Sequence, residues 1–554
     1  MAVLDGSVAR PVLFSTRRIG QPVMAATFLA GVLSLVWAVW LARDAGDLAA
    51  QYAWTGFVRQ HPGSAYNLSW YGGIHPASYS IISPYLMAWI GVRTTAVIAA
   101  TASAALGAIL VARSGIPRPL LPSLWLAAAL WCNIACGRIT YMLGIAAALL
   151  TAVLVLDGAA SGADLTQRRS RPVIAALVGV GATMCSPVAG LFIEVLAAAL
   201  FVSGRRRDAY LLAPGPILVV AATSLLFPFS GVQPFPWYAA LATSATGIVV
   251  AVLVPRTWRI VRAGAWVYAI GVVLCWILPT PIGSNVERLA LTAGAAILIC
   301  TAAAGQRQRL TTIATSAAAA ALAVWTLAQP VAGFVDTTSV TTTAADARPL
   351  LVELRRLHAD QGRVEVVPLR SHWEASGIAP YVDLARGWNR QADVARNRLF
   401  YDGTLTPTSY YAWLREWSAG FVVLPAGEPD AAGVAEARII EAGFPLLHPV
   451  WRDENWRVYR VEGIDPLASL PATVTSAGPA ALTINVPEPG SVLLRIAWSP
   501  WLAIAGVDDD SPTHACLAQS GAWTELTTPV TGTFTVEARY TLDRGTPCPT
   551  RPAT

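Results

Sequence analysis

The sequence predicts a polytopic α-helical membrane protein of about eleven transmembrane helices, with an extracytoplasmic C-terminal α/β region and a small β-sandwich. Three observations predict it. The 554 residues are 55% hydrophobic and only 13% charged, against about 25% charged in an ordinary soluble chain. The apolar residues are concentrated in blocks between Pro22 and Gln329, and the remainder reads as globular. The arginines fall between the blocks, in every second loop.

Crossing the hydrocarbon core takes about 20 apolar residues in a helix, because each residue rises about 1.5 Å. The blocks that approach this length are 22–42, 94–112, 119–136, 140–157, 172–186, 188–203, 209–228, 236–254, 263–279, 288–304 and 310–329. Arg10, Arg17 and Arg18 before the first block resemble the start of a signal peptide. That block is long for such a segment and no small-residue cleavage site follows, so it reads as a retained helix.

Cytoplasmic loops are enriched in Arg and Lys, and this chain contains no lysine. Arg17 and Arg18 place the N-terminus in the cytoplasm. Alternation then puts Arg113 and Arg118, Arg168 to Arg171, Arg205 to Arg207, Arg256 to Arg262, and Arg307 with Arg309 all on the inner side. The intervening loops carry few cations, chiefly Arg138 and Arg288. The last span exits outward. The expected organisation is a transmembrane unit over 1–335 with a first outer loop at 43–93, an α/β unit over 336–465 and a β-sandwich over 466–554. Within the first loop, Tyr79–Gly91 is apolar enough for an interfacial or re-entrant helix. A full span there would reverse every later loop.

In the outer region Pro349–His358 is amphipathic, Phe421–Leu424 is a short strand-like run, and Ala481–Val486 and Thr533–Tyr540 alternate as strands do. Cys516 and Cys548 are the only cysteines there, and outside the cytoplasm such a pair oxidises readily, which predicts a disulfide. The other five lie in or beside apolar blocks. The net charge of +6 does not imply nucleic acid, because the arginines form no single basic face.

The residues that invite chemistry lie in the outer loops. Asp44 and Asp47 follow the first block directly; on a helix continuing from the membrane they would share a face. They either do work there or mark the end of the apolar run. Next come Trp70, His75 and Tyr79 among glycines and further aromatics, a composition suited to a sugar or lipid headgroup and equally to an interfacial aromatic belt. Arg138 is an isolated cation between two apolar blocks. Asn285, Glu287 and Arg288 open another block, where free N–H groups and an arginine favour an anion. An Arg288–Glu287 or Arg288–Asp pair that merely docks the loop is the competing reading.

One apolar span, an acidic outer loop, many further spans and an outer C-terminal region resemble the GT-C superfamily of integral membrane glycosyltransferases. The resemblance is one of architecture across the chain; the acids of that family usually stand one residue apart, whereas two residues separate Asp44 from Asp47. It implies transfer of a sugar from a polyprenyl-phosphate donor to a cell-envelope glycan or glycolipid at the outer face of an actinobacterial type of membrane. It also implies Asp44 as general base, Asp47 as orienting acid and Arg288 with Arg138 at the leaving phosphate. No cofactor is certain; a divalent metal ion is the one candidate. The outer region would hold the acceptor, with Trp373, Trp388, Trp417 and Trp501 as stacking candidates. The alternatives are a transporter or flippase for envelope lipid or glycan, against which the near absence of charge in the blocks counts, and a non-catalytic envelope scaffold.

Overall fold

The computed structural model describes residues 16–42, 46–156, 165–305, 309–336, 347–506 and 514–549. Every apolar block is helical, as lipid demands of a backbone that cannot hydrogen-bond to water. Seven helices are long and apolar enough to cross a membrane: Gly20–Leu41, Val92–Arg113, Ile139–Leu156, Arg206–Leu226, Arg259–Ile277, Gly283–Ala303 and Arg309–Phe334. The blocks between them form the shorter apolar helices Leu120–Ala135, Ser170–Cys185, Pro187–Val202 and Trp237–Leu253. The chain is therefore a multi-pass membrane protein. Small residues let the helices approach closely, as where Ala26, Ala30, Ala104, Ala108 and Ala127 form one cluster.

The loops sort into two sets. On one side Arg205 donates to the carbonyl of Val155 at 2.9 Å, and Val111, Ile116 and Cys300 cluster with Trp258. These are the ends that carry the arginine-rich loops. On the other side the Val232 N–H donates to the Gln391 carbonyl, Gln233 to Thr280 and Ile81 to Met184. The arginine-poor loops thus converge on the C-terminal region.

That region contains a five-stranded sheet of order β2-β1-β3-β5-β4, built from β1 (Arg363–Val366), β2 (Asp383–Leu384), β3 (Ala419–Pro425), β4 (Leu447–Arg452) and β5 (Trp456–Val461). β2 and β3 run parallel to β1, whereas β5 is antiparallel to β3 and β4 to β5. The amphipathic run at 349–358 is the helix Arg348–Arg356. Two further sheets follow, of orders β6-β7-β12-β9 and β10-β11-β8. Their strands are β6 (Thr473–Gly478), β7 (Ala481–Val486), β8 (Gly490–Ala497), β9 (Ala503–Ile504), β10 (Cys516–Ser520), β11 (Trp523–Thr528) and β12 (Gly532–Glu537). Leu482, Ile484 and Val536 from one sheet share a core with Leu494, Leu517 and Leu526 from the other, which makes the pair a sandwich. Cys516 and Cys548 are joined in a disulfide across a separation of 32 residues.

The first loop differs from its expectation at its start. The first helix ends in a π-helical turn, Trp37–Leu41, and a separate helix begins at Leu48 and runs to Gln60. Asp47 therefore precedes a new helix rather than riding on a continued one, so the shared-face argument for the two aspartates does not apply. Asp44 lies outside the described residues. The segment expected at the interface contains the helix Ser83–Ile90 with Trp89 exposed, followed at once by the span that begins at Val92.

Between these helices, residues 64–75 are built into both the five-stranded sheet and the sandwich. The Leu384 N–H donates to the Ser69 carbonyl, which extends the five-stranded sheet at its β2 edge. The Ala497 N–H donates to Gly72, and Ala65 to the carbonyl of Ala538, which binds the same segment to the sandwich. Gly73 has φ of +132°, and a Cβ there would come within 2.1 Å of the Tyr66 ring, so only glycine fits. Trp70, 1% exposed, packs in the core of the five-stranded sheet with Trp54, Tyr71 and Ile74. Arg396 closes the seam with hydrogen bonds of 2.7 and 2.6 Å to the carbonyls of Tyr71 and Gly73.

Two outcomes follow from this packing. Trp70→Ala, which removes a fully buried aromatic, should cost the docked state about 3–5 kcal/mol, read as earlier proteolysis between the membrane helices and residue 347. Cys516→Ser should lower the unfolding temperature of the sandwich, since a loop of this size restricts the unfolded chain by about 3–4 kcal/mol; an unchanged transition would show that the bond contributes nothing.

Candidate functional site

Where the arginine-poor loops meet the C-terminal region, charged side chains gather around Asp47. Its carboxylate lies 3.6 Å from Arg138 Nε and 3.8 Å from Arg288 Nη2. The arginine side chains are about one-fifth exposed and the aspartate 35%. These separations exceed the roughly 2.7–2.9 Å of a direct guanidinium–carboxylate hydrogen bond. Among the described residues Arg138 Nε is buried with no hydrogen-bond partner. Asp47 thus balances the guanidiniums without saturating their donors.

Local backbone explains the gathering. Asp47 stands at the N-terminus of the helix Leu48–Gln60, where partial positive charge favours an acid. Arg138 follows Gly137, whose φ is +75° and whose hypothetical Cβ would lie 2.5 Å from the Leu48 amide. Glycine therefore lets the 136–138 turn sit against that helix start. Arg288 lies just after the short 3₁₀ turn Gly283–Val286 and is placed over the Tyr141 ring, 5.2 Å from its centroid. Glu287 is half-buried beside it. The Asn285 amide donates to the Ile282 carbonyl within the turn.

A polar chain runs beneath Asp47. Thr140 donates to Gln51 Oε1 at 2.6 Å, and the Gln51 amide donates to the Tyr79 hydroxyl. Burial, with the Asp47 charge nearby, raises the Tyr79 pKa, so the phenol stays protonated. Gln51 and Thr140 carried no sequence signal beyond being polar groups inside apolar stretches.

The C-terminal region closes over the acidic loop. The Trp388 indole N–H donates to the Gly46 carbonyl at 2.8 Å, one residue from Asp47. The His372 ring stacks on the indole at 3.5 Å, and Arg390 lies 5.3 Å from the same ring. Trp373 packs against Tyr52. Arg386, two residues earlier, is buried between Glu365 and Glu436 and lies 3.8 Å from the Phe400 ring centroid. Burial raises the pKa of both carboxyls against the pull of the shared guanidinium.

Of the residues singled out in the sequence, Asp47, Tyr79, Arg138, Glu287 and Arg288 come together. Trp70 and His75 do not serve as open ligand surfaces. Trp70 donates its N–H to the Ala375 carbonyl inside the core. His75 is buried with Nδ1 on the Ala65 carbonyl at 2.8 Å and Nε2 on Ser499 Oγ at 3.1 Å. Both ring nitrogens are occupied, which fits a neutral imidazole donating through Nδ1 and accepting the serine hydroxyl. Trp417 and Trp501 are likewise buried. Among the described residues no group of three or more His, Cys, Asp or Glu side chains could hold a metal ion.

Residues 469–553 match a family model described as a domain of unknown function, DUF8823. No curated protein matches the chain at a significant level. Among solved structures the chain is similar to ArnT from Cupriavidus metallidurans in the apo state, with TM-score 0.43 and 11% identity over 78% of this chain and 97% of that one. It is also similar to the arabinofuranosyltransferase AftD from Mycobacteria, with TM-score 0.42 and 13% identity over 86% of this chain. The chain spans 41% of the length of AftD.

Burial lowers the His75 pKa to about 4 from an ordinary 6.5, in spite of the Ala65 hydrogen bond. The released segment binds more protons than the folded one, so this contribution is complete above pH 6.5 and is lost as pH falls towards 4. Its size is on the order of 3 kcal/mol. Hydrogen exchange at 64–75, corrected for intrinsic rate, should accelerate over that interval, and His75→Phe should flatten the dependence.

Proposed function

We propose that this protein is a GT-C-type membrane glycosyltransferase that moves a sugar from a polyprenyl-phosphate donor to a cell-envelope glycan or glycolipid at the outer face. The observation that carries the reading is the pair Arg138 and Arg288 flanking Asp47 beyond direct hydrogen-bond distance, with Arg138 Nε left without a partner among the described residues. Unsaturated guanidiniums in a site of low dielectric are placed to receive a phosphate, and a lipid-borne phosphate reaches that depth from the bilayer.

In the reaction an acceptor hydroxyl attacks the anomeric carbon, and the bond from that carbon to the phosphate oxygen breaks. The hydroxyl proton passes to a carboxylate of the acidic loop. The electron pair leaves on polyprenyl phosphate, whose new negative charge the two arginines stabilise. Asp44 is assigned as the base, although it lies outside the described residues. Asp47 is assigned to holding the two guanidiniums in position. Trp388, bonded to the Gly46 carbonyl, and Trp373, against Tyr52, are assigned to the acceptor side.

One observation favours transport as a second reading. Glu194 lies within the apolar helix Pro187–Val202, and among the described residues its Oε1 is buried without a partner. Ionisable groups at such depth often mark a conducted path.

Transfer of radiolabelled sugar from polyprenyl-phosphate donors by purified protein separates the two. Arg138→Ala and Arg288→Ala should each reduce turnover about 10²- to 10³-fold. Asp44→Asn should reduce it about 10²- to 10⁴-fold. Unchanged transfer in Asp44→Asn would remove the base assignment. Absence of transfer by the unsubstituted protein, with lipid movement across vesicles abolished in Glu194→Gln, would replace the enzyme reading by the transporter.

A further inference from the structure

The sandwich touches the membrane helices at a place that the proposed reaction does not use. Helix Pro214–Leu226 ends at the bilayer surface, and Trp501 caps it by donating its indole N–H to the Leu226 carbonyl at 2.6 Å. Phe227, the next residue, stacks on Trp501 with ring centroids 5.0 Å apart. Tyr540, just beyond β12, lies edge-on to both rings at 6.1 and 5.9 Å. Tyr85, on the short helix that leads into the span at Val92, lies beside it and donates its hydroxyl to the Pro62 carbonyl at 3.3 Å. Leu225 on the capped helix and Trp89 on the short helix are exposed to whatever surrounds the helices. These rings form a belt at the depth where aromatic residues anchor membrane proteins.

From that belt the chain makes a tight turn. Thr541 Oγ1 donates to the Asp543 carbonyl at 2.7 Å, and Arg544 lies over the Trp501 ring at 5.6 Å. Gly545 has φ of +69°, and a Cβ there would be 2.6 Å from the carbonyls of Leu502 and Pro500, so the turn is pressed against the sandwich. At its tip Leu542 is fully exposed, 102% of the reference area. Water gives this side chain nothing, whereas the boundary of headgroups and acyl chains accepts both a leucine and an adjacent arginine.

We propose that the turn Tyr540–Arg544 is a lipid anchor, with Leu542 seated among acyl chains and Arg544 facing lipid phosphates, and that it holds the sandwich on the bilayer. The occupant of the exposed surface is the bilayer itself, because the turn is continuous with the ends of helices that span it. The arrangement fixes the height of the C-terminal region above the membrane independently of any substrate.

The test uses the full chain in nanodiscs of phosphatidylcholine and phosphatidylglycerol. Leu542→Cys is spin-labelled beside Leu470→Cys, a 77% exposed leucine just before β6 of the sandwich. The spectrum of labelled but unsubstituted protein is subtracted as background from the native thiols. Collision with oxygen should exceed collision with a water-soluble nickel chelate several-fold at position 542, with the reverse order at 470. A label at 542 as accessible to the chelate as the label at 470 would overturn the anchor. Both substituted residues are exposed, so the fold survives either outcome, and retention of the Cys516–Cys548 bond under non-reducing conditions checks it.

Discussion

The structure depends on the burial of residues 64–75 between the two parts of the C-terminal region. This segment has little regular structure of its own, and a buried backbone must still pair its N–H and C=O groups. It pairs some internally, through Asn67 and Ile74, and the rest with strands more than three hundred residues later. Trp70 and Tyr71 enter the core of the five-stranded sheet, whereas Tyr66 and Leu68 enter that of the sandwich. The first loop and the C-terminal region are therefore one packed body. Neither part keeps its core without the other.

The charged site follows from that docking. The helix Leu48–Gln60 is fixed by the core through Trp54, which sets where its N-terminal Asp47 points. Trp388 then bonds the preceding carbonyl, and it is itself held between the stack with His372 and the Arg390 guanidinium. Two arginines at one carboxylate are costly to desolvate without complete hydrogen bonding. Here both separations, 3.6 and 3.8 Å, exceed direct contact, and Arg138 Nε has no hydrogen-bond partner among the described residues.

Buried ion networks play a different role in the C-terminal region. Arg386 with Glu365 and Glu436 is enclosed, and Tyr410 donates to Glu436 at 2.8 Å, while Glu365 Oε2 and Arg386 Nη1 have no hydrogen-bond partner among the described residues. The network ties the helix Val434–Glu441 to β1.

The helices were legible in the sequence because lipid imposes a length and a composition on any segment that crosses it, and each apolar block is a helix. Strand alternation likewise identified Ala481–Val486, one face of which is buried, and the short apolar run at Phe421 is a strand buried on both faces. Asp47, Arg138 and Arg288 stood out as charges beside apolar blocks. Their meeting at one point was not legible, because it depends on the packing of three loops far apart in the chain. Trp70 and His75 had a binding composition, yet their neighbours Ala375 and Ser499 come from the distant C-terminal region, and these turn both residues into packing groups. Gln51 and Thr140 carried no signal beyond being polar groups inside apolar stretches, and Trp388 was one of four tryptophans offered for stacking. Composition and periodicity are properties of a segment and determined which residues are helical, apolar or charged. Which polar groups end up satisfied and which are left open is a property of contacts between segments, and only the tertiary structure decided it.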